Sequence, residues 1–393
     1  MTKKTVIGFF AIMAIGSLAA RAATLIVDDN LQCPGATYPT IQGAVTAASP
    51  GDTIKVCPGT YVEQVMITKN LKVEGIAFNN ENLALVMPAP VGANSTSLSG
   101  NPVAAIILVD GASNVSLTNL TVDGAAGGLN GCDAPTFIGV YYRNASGKMD
   151  SMAVRNIRLG AGSEGCQNGL GIFAQSGNGG SAKLEVVNSS VHDYQKNGIT
   201  ANEVGTELTA KGNAVTGFGP SPIIAQNGIQ LAYGAKGTVE SNSVINHVYS
   251  PATYSAAGIL VYASGEVKVK KNNVGKSQVG VDFEANGGEV SENVISDTDD
   301  FDGVYVLGNN NKIENNTIFN SDESGAWVDG NNNTVKGNTI NEAPIGVHFF
   351  GTGNGVTGNK FFNTGMNTDS TPPPPAPLAR SIAPTRVTTS PLR

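Results

Sequence analysis

The sequence predicts an all-β chain folded as a single-stranded parallel β-helix, a solenoid with a short N-terminal capping helix. The first observation is composition. The 49 Gly and 40 Asn among 393 residues are types that helices disfavour and turns take up, which excludes a helical bundle. The second is a Gly followed by a small or β-branched residue, recurring at Gly198, Gly228, Gly258, Gly280, Gly303, Gly325 and Gly346. The third is an Asn-x-apolar mark running in step at Asn213, Asn242, Asn272, Asn293, Asn316, Asn338 and Asn359. Both marks keep one period, near 30 residues for two steps and near 22 afterwards. Periods of this size mean stacked units that bury their apolar faces only against their neighbours.

Within a repeat the residues alternate with period 2, Ile259 in, Leu260 out, Val261 in, Tyr262 out, which is strand rather than helix. No helix-sized pattern lies between the strands, so a doubly wound sheet is excluded. The leucine-rich signature LxxLxL is also missing. A parallel β-helix of about 22 residues per coil remains. Asn stacked on Asn at one turn position would let each amide bond the next and would tolerate a left-handed backbone. Upstream, Ile106–Val109, Val115–Val122, Gly139–Tyr142, Val154–Leu159 and Gly171–Ala174 repeat the grammar more loosely. Thr40 caps a short helix whose Ile41, Ala44, Val45 and Ala48 share one stripe and which Pro50-Gly51 ends. It is the natural cover for the solenoid's first edge.

Residues 1–22 combine basic Lys3 and Lys4, an apolar run and Ala20-Arg21-Ala22, the pattern of a secretory signal. The mature chain should therefore be secreted or periplasmic, with no transmembrane segment. The solenoid is expected over residues 23–366 and a disordered Pro/Ser/Thr-rich tail over 367–393. Of the three possible pairings of four cysteines, Cys33–Cys57 and Cys132–Cys166 each close a modest loop, and oxidising conditions allow both.

Only 14% of residues are charged and the net charge is -7, which argues against a nucleic-acid binder. Without the signal and the tail, 18 basic residues face 30 acidic ones. Such a body repels polyuronates unless a metal or local Lys and Arg offset it. Lys268, Lys270 and Lys271 form the dense basic cluster, and neutral glycans stand beside anionic ones as partners.

The stretch Tyr38-Pro-Thr-Ile-Gln-Gly-Ala-Val, followed by Pro50-Gly-Asp-Thr-Ile-Lys-Val-Cys-Pro-Gly-Thr-Tyr61-Val-Glu63-Gln-Val-Met-Ile-Thr-Lys69, resembles the N-terminal cap and first coil of right-handed β-helix proteins. These belong to the pectate-lyase-like superfamily, and the match is with its NosD-type and pectinesterase-related branches. The resemblance covers most of residues 24–363. It implies a right-handed parallel β-helix and, in function, a polysaccharide lyase, hydrolase, esterase or epimerase, or a surface protein without chemistry. The Asp-Pro-His-Asp of mannuronan epimerases, the Gly-His-Gly of polygalacturonases and the pectinesterase Leu-Gly-Arg-Pro-Trp are all missing, and fold does not supply function.

Three groups of residues could carry chemistry. The second residue after each repeat Gly points outward, giving Gln230, Leu260, Asp282, Tyr305, Trp327 and His348; the fourth adds Tyr262, Glu284, Leu307, Asp329 and Phe350. Asp282 and Glu284 would stand about 7 Å apart on one strand, in the spacing of the paired carboxylates of glycoside hydrolysis, with Tyr262, Tyr305 and Trp327 able to lie against sugar faces. The second group comes from the enlarged coils, where His192, Asp193, Lys196, His247 and Tyr249, with Tyr254, should converge on one edge. A His or Lys base with a Tyr acid suits β-elimination or epimerisation of a uronate. In the third, Asp297, Asp299, Asp300 and Asp302 crowd one turn, which Ca2+ could neutralise.

The expectation is thus an exported monomer that binds and processes an extracytoplasmic polysaccharide, with a lyase or epimerase ahead of a hydrolase. A non-catalytic adhesion module is the rival. A NosD-like accessory protein is third, because Met- and His-rich clusters are missing.

Overall fold

A computed structural model describes residues 22–31, 33–76 and 83–372. The proposed signal, and the tail from residue 373 onward, lie outside these residues. Among them, parallel strands stack into three ladders. The first runs from Thr24–Val27 through Thr53–Val56 to Gly355–Thr357. The second runs from Gly59–Tyr61 to Thr317–Ser321 and the third from Val65–Ile67 to Ser324–Asp329. The second and third join in the long strands Thr339–Phe350 and Lys360–Asp369. The chain passes through each ladder once per coil, which is a parallel β-helix. The last strand continues past residue 366, into residues that composition assigns to the tail.

Strand register reproduces the spacing of the repeat glycines. Ile199 pairs with Ile229, Ile259 with Val281, Val281 with Val304 and Ala326 with Val347. All of these side chains are fully buried in one continuous core. The glycines themselves are required by packing. A Cβ on Gly280 would lie 2.5 Å from the Gly303 carbonyl oxygen and 2.4 Å from an Ile295 methyl. The same approach recurs at Gly258, Gly303 and Gly325. Each glycine thus lets the strand bend against the next coil.

The asparagine column is a hydrogen-bonded ladder. Asn272 Nδ2 and the Asn272 backbone N–H both donate to Asn293 Oδ1, at 3.0 and 2.9 Å, and Asn293 Nδ2 donates to the Val269 carbonyl at 2.9 Å. The pattern holds from Asn213 to Asn359. The left-handed backbone, however, belongs to the residue before each ladder Asn: Gly212, Ser241, Lys271, Glu292, Asn315, Gly337 and Gly358. The ladder Asn turns inward because its predecessor takes the positive φ. A second ladder, Asn311, Asn333 and Asn354, has the same N–H to Oδ1 bonds at 2.8 Å.

Helix α1 spans Ile41–Ala47, with Thr40 Oγ1 accepting the Gly43 N–H at 3.1 Å and Ile41, Ala44 and Val45 buried. The coil beneath supplies both of its ends. The Glu63 carboxylate accepts the Ile41 and Gln42 N–H groups at 2.7 and 2.8 Å, and Lys69 Nζ donates to the Thr46 and Ala48 carbonyls. Burial raises the Glu63 carboxyl above its ordinary range, and these two N–H bonds offset part of that. The charges match the helix dipole at each end. Cys33–Cys57 and Cys132–Cys166 are both bonded, with Cα separations of 6.6 and 5.1 Å. No helix among the described residues is long and apolar enough to cross a membrane.

Candidate functional site

The outward face of the third ladder carries the first group in vertical register. Gln230, Leu260, Asp282, Tyr305, Trp327 and His348 pair from coil to coil, and Tyr262 stands beside Glu284. The rings form a run along the axis. Centroids lie 6.4 Å apart for Tyr305 and Trp327, 4.4 Å for Trp327 and His348, and 5.0 Å for Trp327 and Phe350. Leu260 belongs to a small apolar cluster separate from the main core, which confirms that this column points away from the coil interior.

Exposure divides that face. Asp282, Trp327 and His348 are only 1%, 7% and 6% exposed, so the central column is not the open stripe that alternation suggests. Tyr262, Glu284, Tyr305 and Phe350 are half-buried and Asp329 is exposed. Burial raises the Glu284 carboxyl above the ordinary carboxylate range. The result is an open edge with a shifted carboxyl over a floor that holds a second carboxylate.

The second group does not assemble. His247 is fully buried inside the solenoid, where Tyr194 Oη lies 2.5 Å from its Nε2 and burial lowers its pKa to about 3. The reason is local. Asn246 has φ 68°, which breaks the alternation and turns the next residue inward. The same step recurs at Lys276, Asp297, Asn320 and Glu342, each followed by a buried Ser277, Thr298, Ser321 or Ala343. His192 sits half-exposed and pairs with Asp193 at 2.6 Å. Lys196 is buried, donates to the Ala225 carbonyl at 2.5 Å and is lowered by burial to about 8. Tyr249 and Tyr254 contact each other edge to face at 5.7 Å. A shared cleft of His192, Lys196, His247 and Tyr249 is therefore not formed.

The acidic turn is likewise dispersed. Asp302 is buried and accepts the Ser324 N–H at 3.1 Å, and Asp297 Oδ1 accepts from Asn320 Nδ2 at 2.9 Å. Asp299 and Asp300 are exposed. The Asp300 carboxyl is raised, first by partial burial and then by Asp299 and Asp322. Asp297 and Asp299 line a cleft of about 340 Å³ with Lys276, Asn320 and Asp322. Among the described residues no three His, Cys, Asp or Glu converge to hold a metal, so the calcium expectation finds no ligand set. Millimolar Ca2+ and EDTA are expected to give the same melting temperature; a rise with Ca2+ in a thermal scan would show a bound ion.

The hydrogen bonding of two sets of buried amides escaped sequence reasoning. Gln195, Gln226 and Gln278 tie down the enlarged loops: Gln195 Oε1 accepts the Leu159 N–H, Gln226 Oε1 the Phe218 N–H and Gln278 Oε1 the Ala256 N–H. On the outer face, Gln230 bonds Asn197 and Asn202 at 2.9 and 3.0 Å. The one visible signal was the Asn before Gly198 and Gly228.

Solved structures share this architecture at low identity. A GH136 lacto-N-biosidase from Eubacterium ramulus superposes with a TM-score of 0.61 at 12% identity, over 86% of this chain and 68% of that one. PfbA, a surface adhesin of Streptococcus pneumoniae, gives 0.61 at 14% over 83% and 87%. The periplasmic alginate epimerase AlgG gives 0.51 at 13% over 81% and 79%. At such identities the likeness shows the fold alone. No curated protein matches the chain. The family described as the right handed beta helix region matches residues 105–295 and 227–371, more than half of the sequence, and the chain belongs to that family.

Proposed function

We propose that this protein is an exported carbohydrate-binding β-helix that hydrolyses its glycan on the outward face of the third ladder. The observation that carries the reading is register: Asp282 and Glu284 share one strand face, flanked coil by coil by Tyr262, Tyr305 and Trp327. In this reading Glu284, with its raised carboxyl, keeps its proton and gives it to the leaving glycosidic oxygen. The Asp282 carboxylate, about 7 Å along the strand, activates the attacking water. Elimination and epimerisation lose support because His247 is in the core. Helix α1 is assigned the role of covering the first coil.

A screen of neutral, cationic and uronate glycans for new reducing ends tests this. Glu284→Gln is expected to lower turnover about a hundredfold with glycan binding retained. Unchanged turnover would remove Glu284 from the chemistry, and a product absorbing as an unsaturated uronate would restore the lyase. The second reading, a non-catalytic adhesion module, is favoured by the near-complete burial of Asp282. Binding without any new reducing end would support it.

A further inference from the structure

The negative charge of the solenoid is concentrated at one end. Residues 277–366 carry 13 acidic and 3 basic side chains, against 17 and 15 in residues 23–276. The three lysines stand off the face in question. Lys312 and Lys336 lie on the first ladder, and Lys360 pairs with Thr339 in the second-ladder arm. Counting along the outward columns instead gives Val279, Asp302, Ser324 and Ile345, then Asp282, Tyr305, Trp327 and His348, then Glu284, Leu307, Asp329 and Phe350. No Lys or Arg stands among them. His348, the one group there that could become a cation, lies 3.4 Å from Asp369. The turns bordering the same coils add exposed Asp299, Asp300 and Asp322, with Lys276 lining the cleft that Asp299 and Asp322 share.

This field discriminates between classes of glycan. A polyuronate brings a carboxylate on every sugar into it and is repelled. A neutral glycan gains only the aromatic contacts. A polymer of hexosamines with free amines brings a cation to the exposed carboxylates Asp329, Asp299, Asp300 and Asp322, while its sugar faces can still lie on Tyr262, Tyr305 and Phe350. Resting on the reading that this face binds a glycan, we propose that its ligand is an amine-bearing polysaccharide, held by Asp329 at the open edge.

The test compares binding of the full chain to soluble glucosamine oligomers, their N-acetylated counterparts, a neutral xylan oligomer and alginate, at mildly acidic pH. The amine-bearing oligomer is expected to bind about tenfold tighter than its acetylated form. The advantage should shrink as salt rises from about 50 to about 300 mM and should be reduced by Asp329→Asn. Equal binding of amine-bearing, acetylated and neutral oligomers, indifferent to salt, would overturn the amine assignment and leave the binding face standing. Tightest binding of alginate would also overturn it. Binding of none of the four would overturn the carbohydrate reading itself.

Discussion

Replacing Asn293 by Leu is expected to cost roughly 4 kcal/mol of folding stability, measured as a shift in urea midpoint at unchanged slope. The size follows from what one amide serves. Its Oδ1 accepts two N–H groups of Asn272 and its Nδ2 satisfies the Val269 carbonyl, and the site is almost fully buried. Leu fills the volume but takes the partner from the Asn272 N–H and the Val269 carbonyl and one bond each from Asn272 Nδ2 and Asn316 Oδ1, and each buried orphan costs on the order of 1–3 kcal/mol. The same change at Asn359 is a control, since that residue ends the ladder half-exposed and water can replace what is lost. It should cost about half as much. Equal losses at the two positions would show that burial is not what makes the ladder strong.

Gly280→Val should cost about 3 kcal/mol. A side chain there begins inside the contact distance of the Gly303 carbonyl and the Ile295 methyl, and the backbone atom cannot move without displacing the next coil. Gly287→Ala makes the useful comparison. Nothing lies within 4 Å of a Cβ at that position, where φ is +70°, so only backbone strain of about 1 kcal/mol is expected. A chevron or equilibrium melt that placed the two substitutions together would mean that coils can slide apart to admit a side chain, against the packing argument.

The fold was legible because a solenoid writes its register into the sequence. The interval between Gly258 and Gly280 is the offset at which Ile259 pairs with Val281, and Leu260 and Asp282 do point away from the core. Both cysteine pairs were legible for the same reason, since neighbours in space are near neighbours in the chain. What was not legible depends on single backbone steps. Counting by twos places His247 outward, but Asn246 with φ 68° reverses the count. Asp297 has three carboxylates near it in the sequence, yet it occupies the same left-handed column as Asn246 and Lys276. Nor does alternation report burial by distant residues: it shows that Trp327 faces outward and is silent on its 7% exposure. Of the buried glutamines that clamp the enlarged loops, Gln226 and Gln278 stand two residues before a repeat glycine and Gln195 three, too few and too uneven to mark a column.

Because each strand of the ladders pairs only with the coil before and the coil after, the length of this molecule is adjustable in whole turns. Excising residues 303–324 would join Asp302 to Gly325, bring Asn293 beside Asn338 and leave both marks in phase. A cut that did not remove whole coils would throw every downstream column out of line. The molecule can therefore gain or lose reach as a ruler does, by graduations, and evolution can lengthen the outward edge of the third ladder without redesigning what surrounds it.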